Sequence, residues 1–291
     1  MNFNFFIGVL VAVGGTFGGY VAEGGHMEAI LEAAPMEIVI MGGTAAASFI
    51  ISNPKSVKKA TGRGLKLLFQ KDRFDKSSYI ELLSMMYQVF KLAKTKGMLA
   101  LEAHVEKPEE SSLFQAFPGF LHNHHAVEFL CDYLRLFTLG ADKPYEIEAL
   151  MDEELDVHHS ENEAASAAVQ GVADAMPAIG IVAAVLGIVH TMGAITEPPE
   201  VLGRLIGGAL VGTFMGVWTA YGFIGPMGTY MKQALEAEAR YQQCLKLGMI
   251  AYLQGLAPSI AIEYARKSLL SHVRPTFSEV EEATQSLPSP G

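Results

Sequence analysis

Cysteine is almost missing from this 291-residue chain: Cys131 and Cys244 are the only two, which excludes a disulfide framework. No glycine-rich phosphate loop precedes a lysine, and neither HExxH nor paired CxxC occurs. The templates for nucleotide hydrolysis, zinc proteolysis and thiol redox chemistry are therefore lacking, and no enzyme is expected. The N-terminus has no basic segment of the kind that precedes a cleavable signal peptide, so the first apolar run is expected to stay in place. No internal repeat is evident.

What the chain does have is apolar sequence gathered into blocks. Half of the residues are hydrophobic and the mean hydropathy is positive. Four runs approach the roughly 20 residues needed to cross a bilayer: 3–21, 34–51, 169–190 and 201–231, the last long enough to continue into water. Of 21 Lys and Arg, 14 lie between Lys55 and Lys143, 6 between Lys232 and Arg274, and Arg204 stands alone. The connections 23–32 and 191–200 are acidic or neutral apart from histidine. Retention of basic residues on the cytoplasmic side puts both termini and the long middle segment inside.

The expected fold is an all-α membrane protein of four transmembrane helices, with a large helical cytoplasmic domain between the second and third. The divisions are 1–52 for the first two spans, 53–168 for the cytoplasmic domain, 169–231 for the last two spans, 232–284 for C-terminal cytoplasmic helices, and a Ser/Pro-rich disordered tail at 285–291. Helical spacing of Ile80, Leu83, Tyr87 and Phe90 marks one cytoplasmic helix. Gly140 is a helix stop, and a long helix is expected to run from Asp152 into the third span. Residues 234–253 continue the fourth span, and Pro258 opens a further short helix.

The segment 176–189, Met-Pro-Ala-Ile-Gly-Ile-Val-Ala-Ala-Val-Leu-Gly-Ile-Val, is the most telling. Pro177 kinks a helix and frees a carbonyl, while Gly180 and its small neighbours let helix backbones approach. Gly208, Gly212 and Gly216 form a similar stripe on the fourth span. Such stripes serve packing within one chain and packing around a pore equally well. No acidic residue lies in 176–189, so an ion-carrying carboxylate would have to come from another chain.

Asp174, about one turn before Pro177, sits near the cytoplasmic boundary, where it either attracts cations or marks the interface. Glu37 is read the same way at the outer start of the second span, and no ionisable residue is expected at mid-depth. The histidines His122, His124, His125, His158 and His159 are read as a solvated face in preference to a metal site.

These residues resemble the MotA family of flagellar stator membrane subunits, within the MotA/TolQ/ExbB superfamily. The resemblance covers nearly the whole chain. It is carried by Gly14-Gly15-Thr16-Phe17-Gly18-Gly19-Tyr20, Gly97-Met98-Leu99-Ala100-Leu101-Glu102, Phe129 to Arg135, Glu146 to Glu154, both later spans, Arg266-Lys267 and Arg274-Pro275.

The resemblance implies a homopentameric ring in the bacterial inner membrane around a dimer of MotB. That single-span partner supplies the ion-binding aspartate and a peptidoglycan-binding domain. It also implies a push on the rotor protein FliG, surrounding lipid, no cofactor and no nucleic acid. By the same resemblance Pro177 and Pro226 match the prolines that couple ion flow to movement. Lys94 and Glu102 match the rotor-contact charges, with Lys where Arg is more usual. Read as one helix, their spacing of eight residues puts both on one broad face about 12 Å apart. Ala184 stands where sodium-type relatives carry Thr, while Thr213 keeps a hydroxyl; protons are favoured over sodium. The alternative is an ExbB- or TolQ-like subunit energising outer-membrane processes, though those subunits usually have three spans.

Overall fold

The computed structural model of the chain describes residues 3–70 and 73–288. Its described residues form α-helices, short 3₁₀ and π turns and connecting loops, and they divide into two compact units, Met1–Lys71 with Ser160–Leu235 and Asp72–His159 with Glu236–Gly291.

The first unit carries the long apolar helices. These are α1 (Phe3–Ala22), α2 (Met27–Ser52), the second half of α9 (Pro144–Met192), α10 (Pro199–Thr219) and the start of α11 (Gly225–Leu253). The amphipathic α3 (Lys55–Leu67) belongs here too, held by Thr61 Oγ1 donating to the Ala165 carbonyl at 3.2 Å. All four apolar stretches are long enough to cross a membrane. Their buried clusters are small. One joins Met41, Met176, Ile179, Ala183 and Ala220, and another joins Ala165, Val169 and Met231. Trp218 links α10 to α1, its Nε1 donating to Thr16 Oγ1 at 3.0 Å and its ring meeting Phe17 edge-on.

The second unit is built around α4 (Lys76–Lys96), a nearly enclosed helix whose Leu82, Leu83, Met85, Met86, Val89 and Phe90 have no accessible surface. Three short helices follow, α5 (Glu102–Glu106), α6 (Ser112–Gln115) and α7 (Pro118–Leu121). Around α4 also lie α8 (His124–Thr138), the C-terminal part of α11, α12 (Pro258–Lys267) and α13 (Phe277–Gln285). Local rules explain most ends. Asp75 caps α4 by accepting from the Ser78 N–H at 2.9 Å, and Thr276 with Glu279 forms a capping box on α13. Glu81, in mid-α4, accepts from the N–H of Gly119 at 2.7 Å and so caps α7 from across the core.

Several boundaries depart from the sequence reading. The second span begins at Met27, seven residues early, and runs through Pro35. The units divide at 71/72, 159/160 and 235/236, so residues 53–71 and 160–168 join the apolar helices instead of the middle domain. At the C-terminus α13 continues to Gln285, Leu287 packs against the core, and Gln88 Nε2 donates to the Pro288 carbonyl at 2.7 Å. The rest of the expected tail, 289–291, lies outside the described residues.

Candidate ion path and coupling site

Helices α9 and α10 meet backbone to backbone. A Cβ added to Gly180 would stand 2.7 Å from the Gly212 carbonyl oxygen and 2.9 Å from the Gly216 Cα. One on Gly216 would stand 2.8 Å from both the Gly180 Cα and the Met176 carbonyl oxygen. Farther along, a Cβ on Gly187 would meet the Ala209 Cβ at 2.8 Å. Only glycine permits this approach, and the gain is dispersion contact between helices that water does not drive together. Gly208 faces Ala33 of α2, 3.6 Å from where its Cβ would be. The stripe Gly208–Gly212–Gly216 thus packs within the chain, whereas the α1 glycines Gly14, Gly15, Gly18 and Gly19 meet nothing within 4 Å.

Both helices are interrupted by proline near this contact. Pro177 lies inside α9, half-buried, with no N–H to offer the Ala173 carbonyl. On the other strand of the hairpin the backbone widens into a π turn, Ala220–Ile224, in which the Gly225 N–H reaches the Ala220 carbonyl. Pro226 follows at once. Its ring would clash with the carbonyl of residue 222 in a regular helix, and the π turn absorbs that misfit. A Cβ on Gly225 would lie 3.9 Å from Ala173, so the two interruptions share one level of the hairpin. The π turn has no residue signature beyond Pro226 after Gly222 and Gly225, and sequence reasoning missed it. Pro226 also lines an apolar pocket of about 250 Å³ with Phe5, Val9, Leu68 and Phe223.

The other expected residues are distributed as follows. Ala184 is buried on α9, its N atom 3.0 Å from where a Gly212 Cβ would be. Thr213 is half-buried on α10. Asp174 is exposed and accepts from Gln170 Nε2 at 2.8 Å. Lys94 and Glu102 are both exposed, but they do not share one helix. Helix α4 ends at Lys96, Gly97 turns the chain with φ 84°, and Glu102 opens α5. The expectation of one broad helical face 12 Å long is therefore incorrect, because a residue at that φ stops an α-helix.

Glu37 also corrects the sequence reading. It lies ten residues into α2, only 6% exposed, and its Oε2 has no hydrogen-bond partner. Glu37 is thus enclosed within the apolar helix α2, not placed at its first turn.

The histidines do not gather into a site. His125 Nδ1 lies 3.0 Å from Glu238 Oε1 and its ring is stacked 6.4 Å from that of His158. Among the described residues no three His, Cys, Asp or Glu are grouped to hold a metal. Cys131 and Cys244 are free and enclosed, and burial pushes both thiols up to about 12.

Fold and site together define a class: a polytopic helical membrane protein whose last two spans pack at glycines and are broken by proline at one level. Comparison with known proteins narrows it. A family model described as Motility protein A N-terminal matches residues 6–97, and that of the MotA/TolQ/ExbB proton channel family matches 122–243. Motility protein A of Salmonella typhimurium is 41% identical over 284 residues, 98% of this chain and 96% of that protein. Chemotaxis protein LafT of Vibrio parahaemolyticus is 33% identical over 95% and 96% of the respective chains. A solved structure of C. jejuni MotAB shares the fold, with a TM-score of 0.76 over 93% of this chain and 97% of that one at 21% identity. The chain belongs to the motility protein A family.

Proposed function

We propose a mechanism for the role that family membership gives this chain, that of an ion-conducting, torque-generating subunit of the flagellar motor stator. The observation that carries it is the glycine-packed hairpin of α9 and α10, with Pro177 inside α9 and the π turn before Pro226 beyond α10 at one level. Close backbone contact fixes the hairpin above that level. Below it Pro177 and the π turn each lack a regular backbone bond, so bending there costs less than elsewhere. A change of charge beside the hairpin can then be converted into movement of the helices that continue beyond it.

The ion-binding carboxylate comes from a MotB-like single-span partner, since 176–189 holds none. The fold shared with the C. jejuni MotAB structure supports such a pairing. Five copies of this chain would surround that partner, in the inner membrane and within lipid, with both termini cytoplasmic. Exposed Lys94 and Glu102, on separate helices, would meet FliG as long-range charges. The ion is the proton: Ala184 offers no oxygen ligand where sodium-type relatives carry Thr. Each unit charge crossing 100 mV supplies about 2.3 kcal/mol, which bounds the work per ion. No cofactor enters, and the family is not one of enzymes.

The test is swimming by cells lacking this chain, with filaments counted by microscopy and re-expression in sodium-free medium. Paralysed, filamented cells that regain swimming there support a proton-driven stator. Re-expressed Pro177→Ala should reach the membrane and bind its partner without restoring torque. Normal swimming without the chain, with iron-siderophore uptake impaired, would favour the ExbB/TolQ-like alternative.

A further inference from the structure

The membrane unit contains a carboxyl group that the mechanism above does not use. Glu37 reaches from α2 toward α10, and its Oε2 occupies the space a side chain at Gly212 would need, 2.6 Å from that residue's would-be Cβ. Ala183 and Ala184 of α9 close the same point at 3.1 and 3.0 Å. This oxygen is fully enclosed and has no donor. The niche is closed by Gly212, Ala183 and Ala184, and among the described residues no group of three His, Cys, Asp or Glu stands there to hold a metal. It is compatible with one ligand, a proton on the carboxyl.

Glu37 also lines a cleft of about 530 Å³. The titratable and charged groups around it come from all three helices packed there: Glu32 on α2, His190 on α9 and Arg204 on α10. Among the described residues none of them is ion-paired with Glu37 at 4 Å or less. The cleft lies at the end of the unit formed by the start of α2, the end of α9 and the start of α10. That end is remote in sequence from every Lys and Arg except Arg204. On the orientation proposed above it faces outward. Glu32, His190 and Arg204 thus line the same cleft as Glu37.

We propose that Glu37 is a proton-binding site of this chain, filled from the outer side through the cleft and separate from the Pro177–Pro226 level. The inference rests on the channel reading, yet it can be tested apart from it. Membranes carrying the complex of this chain with its partner are treated with dicyclohexylcarbodiimide, and adducts on this chain are mapped by peptide mass spectrometry. A protonated carboxyl adds to the carbodiimide, its proton passing to nitrogen, and the O-acylisourea rearranges to a stable N-acylurea without loss of atoms.

The expected result is an adduct on Glu37 that declines as pH is raised, because only the protonated carboxyl adds to the carbodiimide. No adduct at any pH, or labelling indifferent to pH, overturns the proposal.

Glu37→Gln and Glu37→Asp supply a second reading. The first should leave the membrane level intact and flatten the dependence of swimming speed on external pH, and the second should restore a shifted dependence. Unchanged profiles in both, or lowered protein levels with the profile intact, would make Glu37 structural and overturn the assignment. Normal swimming in cells lacking the chain would remove the motor reading while leaving the labelling result standing.

Discussion

The two units of this chain are held together in different ways. In the unit around α4, large side chains are enclosed: Phe90, Phe114, Phe120 and Leu130 have no accessible surface, and Phe90 stacks on Tyr252 at 4.6 Å. In the unit of apolar helices the enclosed residues are mostly glycine and alanine, while Leu10, Val39, Ile181 and Val185 are more than half exposed. The first is the expected product of the hydrophobic effect in water. The second is what remains when lipid solvates the large side chains and contact between helices depends on close backbone approach. A single chain thus follows two packing rules, and helices α9 and α11 pass from one to the other along their length.

The largest expected break in that comparison is Phe90→Ala. It removes a fully enclosed ring and should cost about 3–5 kcal/mol, against under about 0.5 kcal/mol for Ile181→Ala. Thermal unfolding of the two purified variants checks this. Should Ile181→Ala prove as damaging as Phe90→Ala, then another protein chain covers that face, and the contrast between the units narrows.

A smaller effect is expected from adding one methyl group. Gly216→Ala forces a Cβ to 2.8 Å from backbone atoms of α9 and should destabilise the hairpin by about 1–3 kcal/mol. Gly171→Ala, in α9 with nothing within 4 Å, should be neutral or stabilising by up to about 1 kcal/mol through helix propensity. Comparing membrane levels and melting temperatures of the two sharpens the rule. Damage from Gly171→Ala would reveal another chain packed at that position.

These contrasts also explain what could be read from sequence. The four apolar stretches were legible because composition is a local signal, as was the run of one helix from Asp152 into the third span, though α9 starts earlier, at Pro144. The chain's glycine stripe was legible as a stripe, but not which neighbour it faces, since Gly216 and Gly14 look alike until a partner backbone is present. The second span was placed from residue 34, whereas α2 starts at Met27 and carries Pro35 in its interior. That error put Glu37 at the interface and hid its burial. Gly97, following Lys94 and Lys96 in a last turn, was a readable helix stop that the spacing of Lys94 and Glu102 overrode. The cap that Glu81 gives α7 joins residues 38 apart, and no local pattern encodes it.

The smallest effect concerns the electrostatic fastening of the water-packed unit. Lys76 Nζ lies 2.6 Å from Glu279 Oε1, while the Thr276 N–H and hydroxyl donate to Oε2 at 2.6 and 2.9 Å. The Lys76 ammonium, then the Thr276 backbone and side chain, hold the Glu279 carboxyl down to about 2 from an ordinary value of 4.5. A carboxyl lowered by folding stabilises above its unfolded value, and that stabilisation is lost as pH falls from about 4.5 toward about 2. Both partners are only half-buried and reach solvent, so the gain is small and screened by salt. Lys76→Met should let α13 loosen at a higher pH than in the parent chain, seen as faster hydrogen exchange over 277–285 after correction for the intrinsic rate. High salt should shrink the difference between the two proteins. If exchange at α13 is the same in both from about pH 5 to about pH 3, Val280 and Leu287 hold the helix by burial alone, and apolar packing governs even the rim of this unit.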